Sequence, residues 1–476
     1  MPRPTRDPRI APESRPGGPS RRRFLGAAGA GLGAAGLGAS GLLRGAPPAA
    51  AAPASRWTVP APVRGWPEGF RFGAAGSGFQ VEGSNPDSNW RRYVRRESAA
   101  GKVDPVRDSV DFFHRYREDV KLAAGMGLNA FRLGIEWARV EPQRGRIDQA
   151  ALAFYDDVID TVVAHGMTPM ITMVHYVYPG WLADRGGFVN PAALGDFERF
   201  ARLITRRYAD RCSMWITFNE PLVFVNHELE IGELDPADSA TFLDNIVRAH
   251  RIAYRLAHQA NPRARVALNE AFLPAVTPIT DGLFLDRVTE YLDFIGIDYY
   301  YTASLDNLTA AYAGMGDFPS VRPQPDGLYQ ALHHYHRRYP GRPLYVVENG
   351  MPTDNGRPRA DGYTRGEFIE DSLFWVQRAR GEGIPVVGYN HWSITDNYEW
   401  GSYDSRFGLY RVDVLTDPAL TRRPTSGVAA YRRAAASGGP RLSYRPAIAP
   451  AVGDLSRIPE SVLTRADVNG PRARLV

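Results

Sequence analysis

Short apolar runs alternate with amphipathic stretches along the chain from about Trp57 onward. Eight of the runs are almost continuously apolar and short, which is typical of buried strands. They cover residues 70–76, 130–137, 168–176, 213–220, 265–270, 293–300, 344–350 and 385–392. Between them, segments such as 151–166 and 368–383 carry apolar residues at three- and four-residue spacing, which predicts helices.

Eight strand–helix units in series predict an α/β fold in which a parallel sheet closes into a (β/α)8 TIM barrel. Nearly continuous apolar strands agree with this fold, because helices cover one face of the sheet and the barrel core covers the other. We expect one domain over residues 55–436. The segment 437–476 contains Pro and Arg with little periodicity and is interpreted as a C-terminal extension of unknown role.

The basic character of the chain is confined to its N-terminus. The formal net charge is +5, and residues 1–54 alone carry a net charge of +6, so the rest is close to neutral. The barrel therefore lacks the basic surface that nucleic-acid binding requires. The only cysteine, Cys212, cannot form an intramolecular disulfide and is interpreted as a small buried hydrophobic residue.

The basic leader has the pattern of an export signal. Ser20, three arginines, Phe24 and Leu25 resemble the signal of the twin-arginine route, and residues 24–43 are only weakly apolar. Ala52-Pro53-Ala54 offers a small-x-small cleavage site. We expect export to the extracellular or periplasmic space, with no other membrane association.

Six of the eight apolar runs end in polar or aromatic residues. In a closed barrel these carboxyl ends share one rim, which is where barrel enzymes build their active sites. The residues are His175, Asn219-Glu220, Asn269-Glu270, Asp298-Tyr299-Tyr300, Glu348-Asn349 and His391-Trp392.

Two carboxyl groups stand out at this rim. Glu220 follows the fourth run and Glu348 the seventh, so the two face one another across the mouth of the barrel. Glycoside hydrolysis uses such a pair. A separation of about 5–5.5 Å leads to retention of configuration and about 6.5–9.5 Å to inversion, and the sequence leaves both open.

Five motifs in order resemble glycoside hydrolase family 1: "FRFGAAGSGFQVEG", "FRLGIEWARVEP", "WITFNEP", "YVVENG" and "GYNHWSITDNYEW…RFGLYRVD". This family contains retaining β-glucosidases, β-galactosidases and their relatives on a (β/α)8 barrel. The resemblance implies that residues 55–436 are a catalytic domain that hydrolyses terminal β-linked glucosides, galactosides or fucosides. It implies a small β-glycoside as the partner, and no metal or other cofactor.

The resemblance also assigns catalytic roles. Glu220 matches the acid/base, whose pKa must be raised, and the negative charge of Glu348 is expected to raise it. Glu348 matches the nucleophile. Arg132 is expected to keep Glu348 ionised and Tyr300 to donate a hydrogen bond to it, whereas Asn219 would bind the 2-hydroxyl of the sugar.

Other matching residues form the expected sugar pocket. Gln80, His175 and Glu399 resemble the family residues that bind the 3-, 4- and 6-hydroxyls. Trp392 would cover the C–H face of the sugar, and the Trp400 indole would bind near the 3- and 4-hydroxyls. The 6-phosphoglycosidase branch lacks the acid at Glu399, so the resemblance argues against phosphorylated substrates.

Two alternatives to hydrolysis remain open from the sequence: a transglycosidase, and a sugar-binding barrel without turnover. Two positions also depart from the family pattern. Asp298 stands in place of the usual Asn, and Tyr176 in place of the usual Trp. These departures put the aglycone and 3-hydroxyl contacts and the pH profile in question, but not the chemistry. No residue pattern indicates the oligomeric state.

Overall fold

A computed structural model describes residues 65–273, 277–301, 317–437, 439, 444–448 and 450. The predicted export signal and most of the predicted extension lie outside these residues. Eight parallel strands form a closed barrel, which confirms the predicted fold. They are β1 Arg71–Ala75, β2 Ala130–Gly134, β3 Thr168–Val174, β4 Met214–Asn219, β5 Arg265–Ala271, β6 Ile295–Tyr299, β7 Leu344–Asn349 and β8 Val386–Trp392.

Each strand pairs with its neighbours in the sequence, and the first strand pairs with the last. The β1–β8 pairing runs from Arg71 opposite Gly388 to Ala75 opposite Trp392. A helix of the C-terminal part covers this closing pair of strands. The hydroxyl of Tyr431 lies 2.7 Å from the carbonyl oxygen of Gly73 in β1 and 3.0 Å from that of Tyr389 in β8. This tyrosine therefore ties the two ends of the sheet together.

The longer helices surround the barrel. They are α1 Asn89–Ala99, α2 Phe112–Gly125, α3 Gln149–Ala164, α4 Ala193–Tyr208, α5 Pro221–Ile231, α6 Ser239–Ala260, α7 Asp326–Arg338, α8 Arg365–Gly381 and α9 Ser426–Ser437. Short α-helices cover Gly78–Val81, Trp137–Val140, Gly180–Ala183, Thr277–Thr280 and Leu285–Val288. The two helices predicted over 151–166 and 368–383 correspond to α3 and α8.

One predicted strand is shorter than its apolar run. The run 130–137 forms a strand only as far as Gly134, and Trp137 begins a short helix. Gly134 packs closely against the segment that follows β1. A Cβ atom on Gly134 would lie 3.0 Å from the amide nitrogen of Gly78 in that segment. The Trp137 indole nitrogen donates a hydrogen bond to Oε2 of Glu141, one helical turn later, at 3.0 Å. Apolar character alone does not distinguish such a buried turn from a strand.

Cys212 is buried just before β4, as expected, and burial raises the pKa of its thiol to about 12. A thiol with this pKa stays protonated and unreactive at neutral pH. Among the described residues, no helix combines the length and the apolar character that a membrane crossing requires.

Candidate active site

The structure brings the predicted rim residues together at the C-terminal end of the barrel. Strand pairing sets their order, with Asn219 of β4 opposite Asn269 of β5. Asp298 of β6 is likewise opposite Glu348 of β7. Both pairs are buried, although all four side chains are polar or charged. Buried polar groups of this kind require hydrogen-bond partners. Asn269 binds Asn219 and Asp298, and the other partners of the four come from the residues around them.

Glu220 is placed by an abrupt change of chain direction. It follows the last residue of β4 and precedes Pro221, the first residue of α5. Its backbone has φ 36° and ψ 70°, a left-handed conformation that is unfavourable for a residue with a side chain. Strain of this kind persists where the surrounding structure holds it, and it aims the Glu220 carboxyl into the barrel mouth.

Glu348 is held by two donors, one from β2 and one from the residue that follows β6. The Arg132 guanidinium donates to its Oε1, and the Tyr300 hydroxyl donates to its Oε2 at 2.5 Å. Arg132 is completely buried and also donates to the side chain of Thr172 at 2.9 Å. The contact of this buried guanidinium with Glu348 is a charge-assisted hydrogen bond, which holds the carboxyl group in place.

Glu220 has a different set of partners. Its Oε2 accepts a hydrogen bond from the Tyr176 hydroxyl and another from Asn219 Nδ2 at 3.2 Å. Asn219 Nδ2 also donates to the Tyr176 hydroxyl at 2.7 Å. On its other side, Asn219 Oδ1 accepts from Arg132 at 2.6 Å. Asn219 therefore links the surroundings of the two carboxyl groups.

The two carboxyl groups are close. One carboxylate oxygen from each of Glu220, Asp298 and Glu348 lies within 4.8 Å of one from each of the other two. This upper limit agrees with the short carboxyl separation of about 5–5.5 Å that leads to retention, and it lies well below the 6.5–9.5 Å that leads to inversion. Three such oxygens are also a possible cation site, but the guanidinium of Arg132 already supplies positive charge at Glu348.

Glu220 and Glu348 differ in their electrostatic surroundings. Burial, and after it the negative charge of Glu348, raise the pKa of Glu220 to about 8, against the opposing effect of the Tyr176 hydrogen bond. The expected cause, the charge of Glu348, is therefore present but second to burial. Glu220 is accordingly protonated at neutral pH, whereas Glu348 lies against Arg132. This difference is the one that an acid and a nucleophile require.

Gln80, Trp392 and Glu399 form one wall of the mouth. Ser77 donates to Gln80 Oε1 at 2.7 Å, and Gln80 Nε2 donates to Glu399 Oε2 at 3.2 Å. The Trp392 indole donates to Glu399 Oε1 at 2.9 Å. Burial raises the pKa of Glu399 to about 8. All three residues are thus fixed in a single network of neutral or near-neutral groups.

His175 lies between two indoles. Its ring centroid is 5.6 Å from that of Trp392 and 5.8 Å from that of Trp400, with interplanar angles of 18° and 15°. Burial, and then the charge of Arg132, holds its pKa well below the usual range, so the ring is neutral. Its Nδ1 has no hydrogen-bond partner among the described residues. A neutral imidazole carries one donor and one acceptor nitrogen, which is the chemistry that the predicted contact with a sugar hydroxyl requires.

The structure adds residues that the sequence did not assign. Asn269 was interpreted only as a rim residue, but its Nδ2 donates to Asn219 Oδ1 at 2.7 Å and also to Asp298. Its place depends on Gly296 in β6, because a Cβ there would meet the Leu268 carbonyl oxygen at 2.4 Å. The repeated Asn-Glu dipeptide was the only sequence signal for this role.

A (β/α)8 barrel with two carboxyl groups at this separation on its C-terminal rim defines a retaining glycoside hydrolase. The sequence supports the same class. The family model "Glycosyl hydrolase family 1" matches residues 63–282 and 277–439. The chain belongs to glycosyl hydrolase family 1, and the expectation of a retaining β-glycosidase is confirmed.

Several known proteins are similar to this chain. Beta-glucosidase A of Thermotoga maritima is 27% identical over 427 residues, covering 76% of this chain and 96% of the relative. Beta-glucosidase 47 of Arabidopsis thaliana is 27% identical, covering 76% of this chain and 84% of the relative. The solved structure of the Thermotoga maritima β-glucosidase with castanospermine has a TM-score of 0.69 at 24% identity. The alignment covers 80% of this chain and all of that structure, which has the same fold.

Proposed function

We propose that this protein hydrolyses terminal β-linked glucosides, galactosides or fucosides, with Glu348 as nucleophile and Glu220 as acid/base. The observation that supports these roles is the pairing of an arginine-bound Glu348 with a protonated Glu220 at short separation. A sugar-binding barrel without turnover would need neither the separation nor the difference in protonation between the two groups.

In the first step, a Glu348 oxygen attacks the anomeric carbon from the α face while the glycosidic C–O bond breaks. Glu220 transfers its proton to the departing oxygen, so that the aglycone leaves as a neutral alcohol. The product is a covalent glycosyl ester of Glu348 and an ionised Glu220. Tyr176 and Asn219 donate hydrogen bonds to Glu220 Oε2 and stabilise this new charge.

In the second step, ionised Glu220 removes a proton from a water molecule that attacks the anomeric carbon from the β face. The ester bond breaks, Glu348 is released as a carboxylate, and the sugar leaves with its β configuration retained. Arg132 and Tyr300 hold Glu348 in the same place before and after the ester forms. Their contacts therefore position the attacking oxygen in both steps.

The pocket favours an uncharged sugar. Gln80 and Trp392 bind the two oxygens of Glu399 through neutral donors, and burial keeps Glu399 close to neutral as well. A phosphate on the 6-position would lose its hydration against these groups without gaining a cation. We therefore propose unphosphorylated glycosides as substrates, as for the proteins named β-glucosidases among the relatives.

The test is a panel of aryl β-glucosides, β-galactosides, β-fucosides and 6-phospho-β-glucosides, with the first-formed sugar followed by NMR. We expect release of the β anomer from at least one unphosphorylated glycoside. A first-formed α anomer, or binding without turnover on every member, would overturn the proposal. Products larger than the substrate would instead identify transfer to an acceptor sugar as the main reaction.

We propose separately that residues 1–54 direct export by the twin-arginine route to the periplasm or the extracellular space. The support is the Ser20-to-Leu25 motif and the weakly apolar segment that follows it. Replacing Arg21 and Arg22 with lysine should leave the precursor inside the cell, whereas the same replacement at Arg3 and Arg6 should not. Export at the normal rate after the first replacement would contradict the route.

A further inference from the structure

Asp298 is a third carboxyl group at the reacting centre, and the family pattern has an amide there. It is completely buried in β6, directly opposite Glu348 in β7. One of its oxygens lies within 4.8 Å of both Glu220 and Glu348. Its Oδ2 accepts a hydrogen bond from Asn269, whereas Oδ1 has no partner among the described residues.

The ionised form of Asp298 does not fit this environment. An ionised carboxylate is acceptor-only, and here its buried Oδ1 would meet no donor. Leaving a buried charge without hydrogen bonds costs several kcal/mol. The protonated acid, in contrast, presents one donor and one acceptor, as the side chain of Asn does.

The charges around Asp298 also disfavour ionisation. The cation with the largest effect on it is Arg132, and Arg132 already donates to Glu348. Burial, then the charges of Glu348 and Glu220, raises the pKa of Asp298 well above its usual range. The titratable and charged groups that act on Asp298 from the surrounding elements are Arg132, Tyr176, Glu220, Tyr300, Tyr335 and Glu348.

We propose that Asp298 is a positioning residue that stays protonated through the catalytic cycle and acts as a neutral substitute for an amide. This inference rests on the proposed function. In the resting enzyme the one negative charge among the three carboxyl groups is on Glu348. In the glycosyl-enzyme that charge is on Glu220. In each state Arg132 faces a single carboxylate, and an ionised Asp298 would add a second.

Asp298 acts through a chain of two amides. Asn269 Nδ2 donates both to Asp298 Oδ2 and to Asn219 Oδ1, and Asn219 Nδ2 donates to Glu220 at 3.2 Å. This chain holds the orientation of Asn219, which is assigned to the 2-hydroxyl of the sugar. A neutral Asp298 keeps the chain in place without adding charge beside the acid/base.

Infrared difference spectroscopy tests the protonation state directly and needs no substrate. The difference between wild type and Asp298→Asn at neutral pH should contain the C=O stretch of a protonated carboxylic acid that only wild type has. Glu220→Gln serves as the matched control, because it should remove a separate band that titrates at lower pH. A folded Asp298→Asn protein whose difference spectrum shows only carboxylate bands would overturn the inference.

Kinetics give a second readout. If Asp298 is neutral, the basic limb of kcat/KM in Asp298→Asn stays at the wild-type pH. The loss of kcat should be smaller in Asp298→Asn than in Asp298→Ala, because the alanine variant loses the contact with Asn269. If Asp298 instead carries a negative charge, Asp298→Asn lowers the pKa of Glu220 and moves that limb down by roughly one unit or more. That shift would overturn the inference. Wild type that turns over no β-glycoside would contradict the proposed function alone and leave the infrared result standing.

Discussion

Tyr176 donates a hydrogen bond from its hydroxyl to Glu220 and accepts one from Asn219. The tyrosine stands at the position where the family resemblance leads to the expectation of Trp, and it places a hydroxyl there instead of an indole. A donor to the carboxylate stabilises its ionised form and lowers the pKa of Glu220, against the effect of burial. The substituted residue therefore acts on the acid/base itself as well as on the walls of the pocket.

Tyr176→Phe is expected to raise the pKa of Glu220 and to move the basic limb of kcat/KM to higher pH by about one unit. Deglycosylation should slow about 10-fold or more, because ionised Glu220 loses a donor in the state that acts as base. Pre-steady-state bursts with an activated aryl glycoside measure this step. Tyr178→Phe is the matched control, since the Tyr178 hydroxyl binds Glu228 instead. An unshifted limb in Tyr176→Phe would remove Tyr176 from this role.

Glu220→Ala should slow the cleavage of glycosides with poor leaving groups far more than that of activated aryl glycosides, which leave without a proton. The pH dependence provides a second test. Glu220 must be protonated in the first step, and its pKa is about 8. Wild-type kcat/KM should therefore fall as pH rises through about 8, and the variant should lose this limb. Equal losses on both kinds of substrate would contradict the acid assignment.

Glu348→Ala should abolish hydrolysis, with a loss of at least about 10⁴-fold for an activated aryl glycoside. Azide can enter the space left by the carboxylate and attack the anomeric carbon from the α face. The expected product is the α-glycosyl azide, identified by NMR. Hydrolysis at the wild-type rate without azide would show that another group is the nucleophile.

Glu399→Gln should raise KM for the preferred glycoside and lower kcat/KM by roughly 10–100-fold, because both Glu399 oxygens accept hydrogen bonds and the amide nitrogen of Gln cannot accept one. Its contacts with Trp392 and Gln80 also change. Because the loss concerns sugar binding, the pH at which the basic limb falls should stay that of Glu220. Measuring KM and kcat/KM against pH with the unphosphorylated glycoside checks both the weaker sugar binding and the unchanged basic limb. A shifted limb with unchanged KM would assign the limb to Glu399.

The buried carboxyl group of Glu228 is expected to make the free energy of unfolding depend on pH. It is buried in α5, where Tyr178 and Asn89 donate to it, and burial raises its pKa to about 8. Because the unfolded chain binds this proton less tightly, the stabilisation is complete below the unfolded pKa and is lost as pH rises toward about 8. Glu228→Gln should therefore gain roughly 3 kcal/mol relative to wild type between pH 5 and 8.

The control for this comparison is Glu198→Gln, which changes an exposed ion pair with Arg202. Its difference from wild type in the free energy of unfolding should change little with pH. Thermal and urea unfolding at several pH values provide the measurement. Parallel curves for wild type and Glu228→Gln would show that Glu228 is ionised in the folded protein at neutral pH.

The barrel could be predicted because its strands are apolar on both faces and its helices are periodic, and both patterns are local. The exact ends could not. The run 130–137 stays apolar through a turn and into a short helix, because Trp137 is as buried as the strand before it. Burial is shared by strands, turns and helices, so it does not mark where one becomes another.

The rim prediction identified the right end of the barrel but not which side chains face inward. His391 belongs to the predicted rim, yet its Nε2 binds the Phe407 carbonyl oxygen at 3.2 Å. Asn349 likewise binds Tyr389 and the Tyr299 carbonyl instead of the pocket. Side chains alternate along a strand, so a neighbour of Trp392 or Glu348 points away from it. The amide chain through Asn269 depends on the register between strands, which a single sequence does not determine.

The tyrosine that joins β1 to β8 has a consequence for protein synthesis. Gln80 follows β1, and Trp392 ends β8. Tyr431, which joins these two strands through its hydroxyl, lies in α9, still further along the chain. A nascent chain on the ribosome therefore holds no working pocket until almost all of it has been translated. Premature termination anywhere before Tyr431 should give an inactive product, even when both catalytic glutamates have been made.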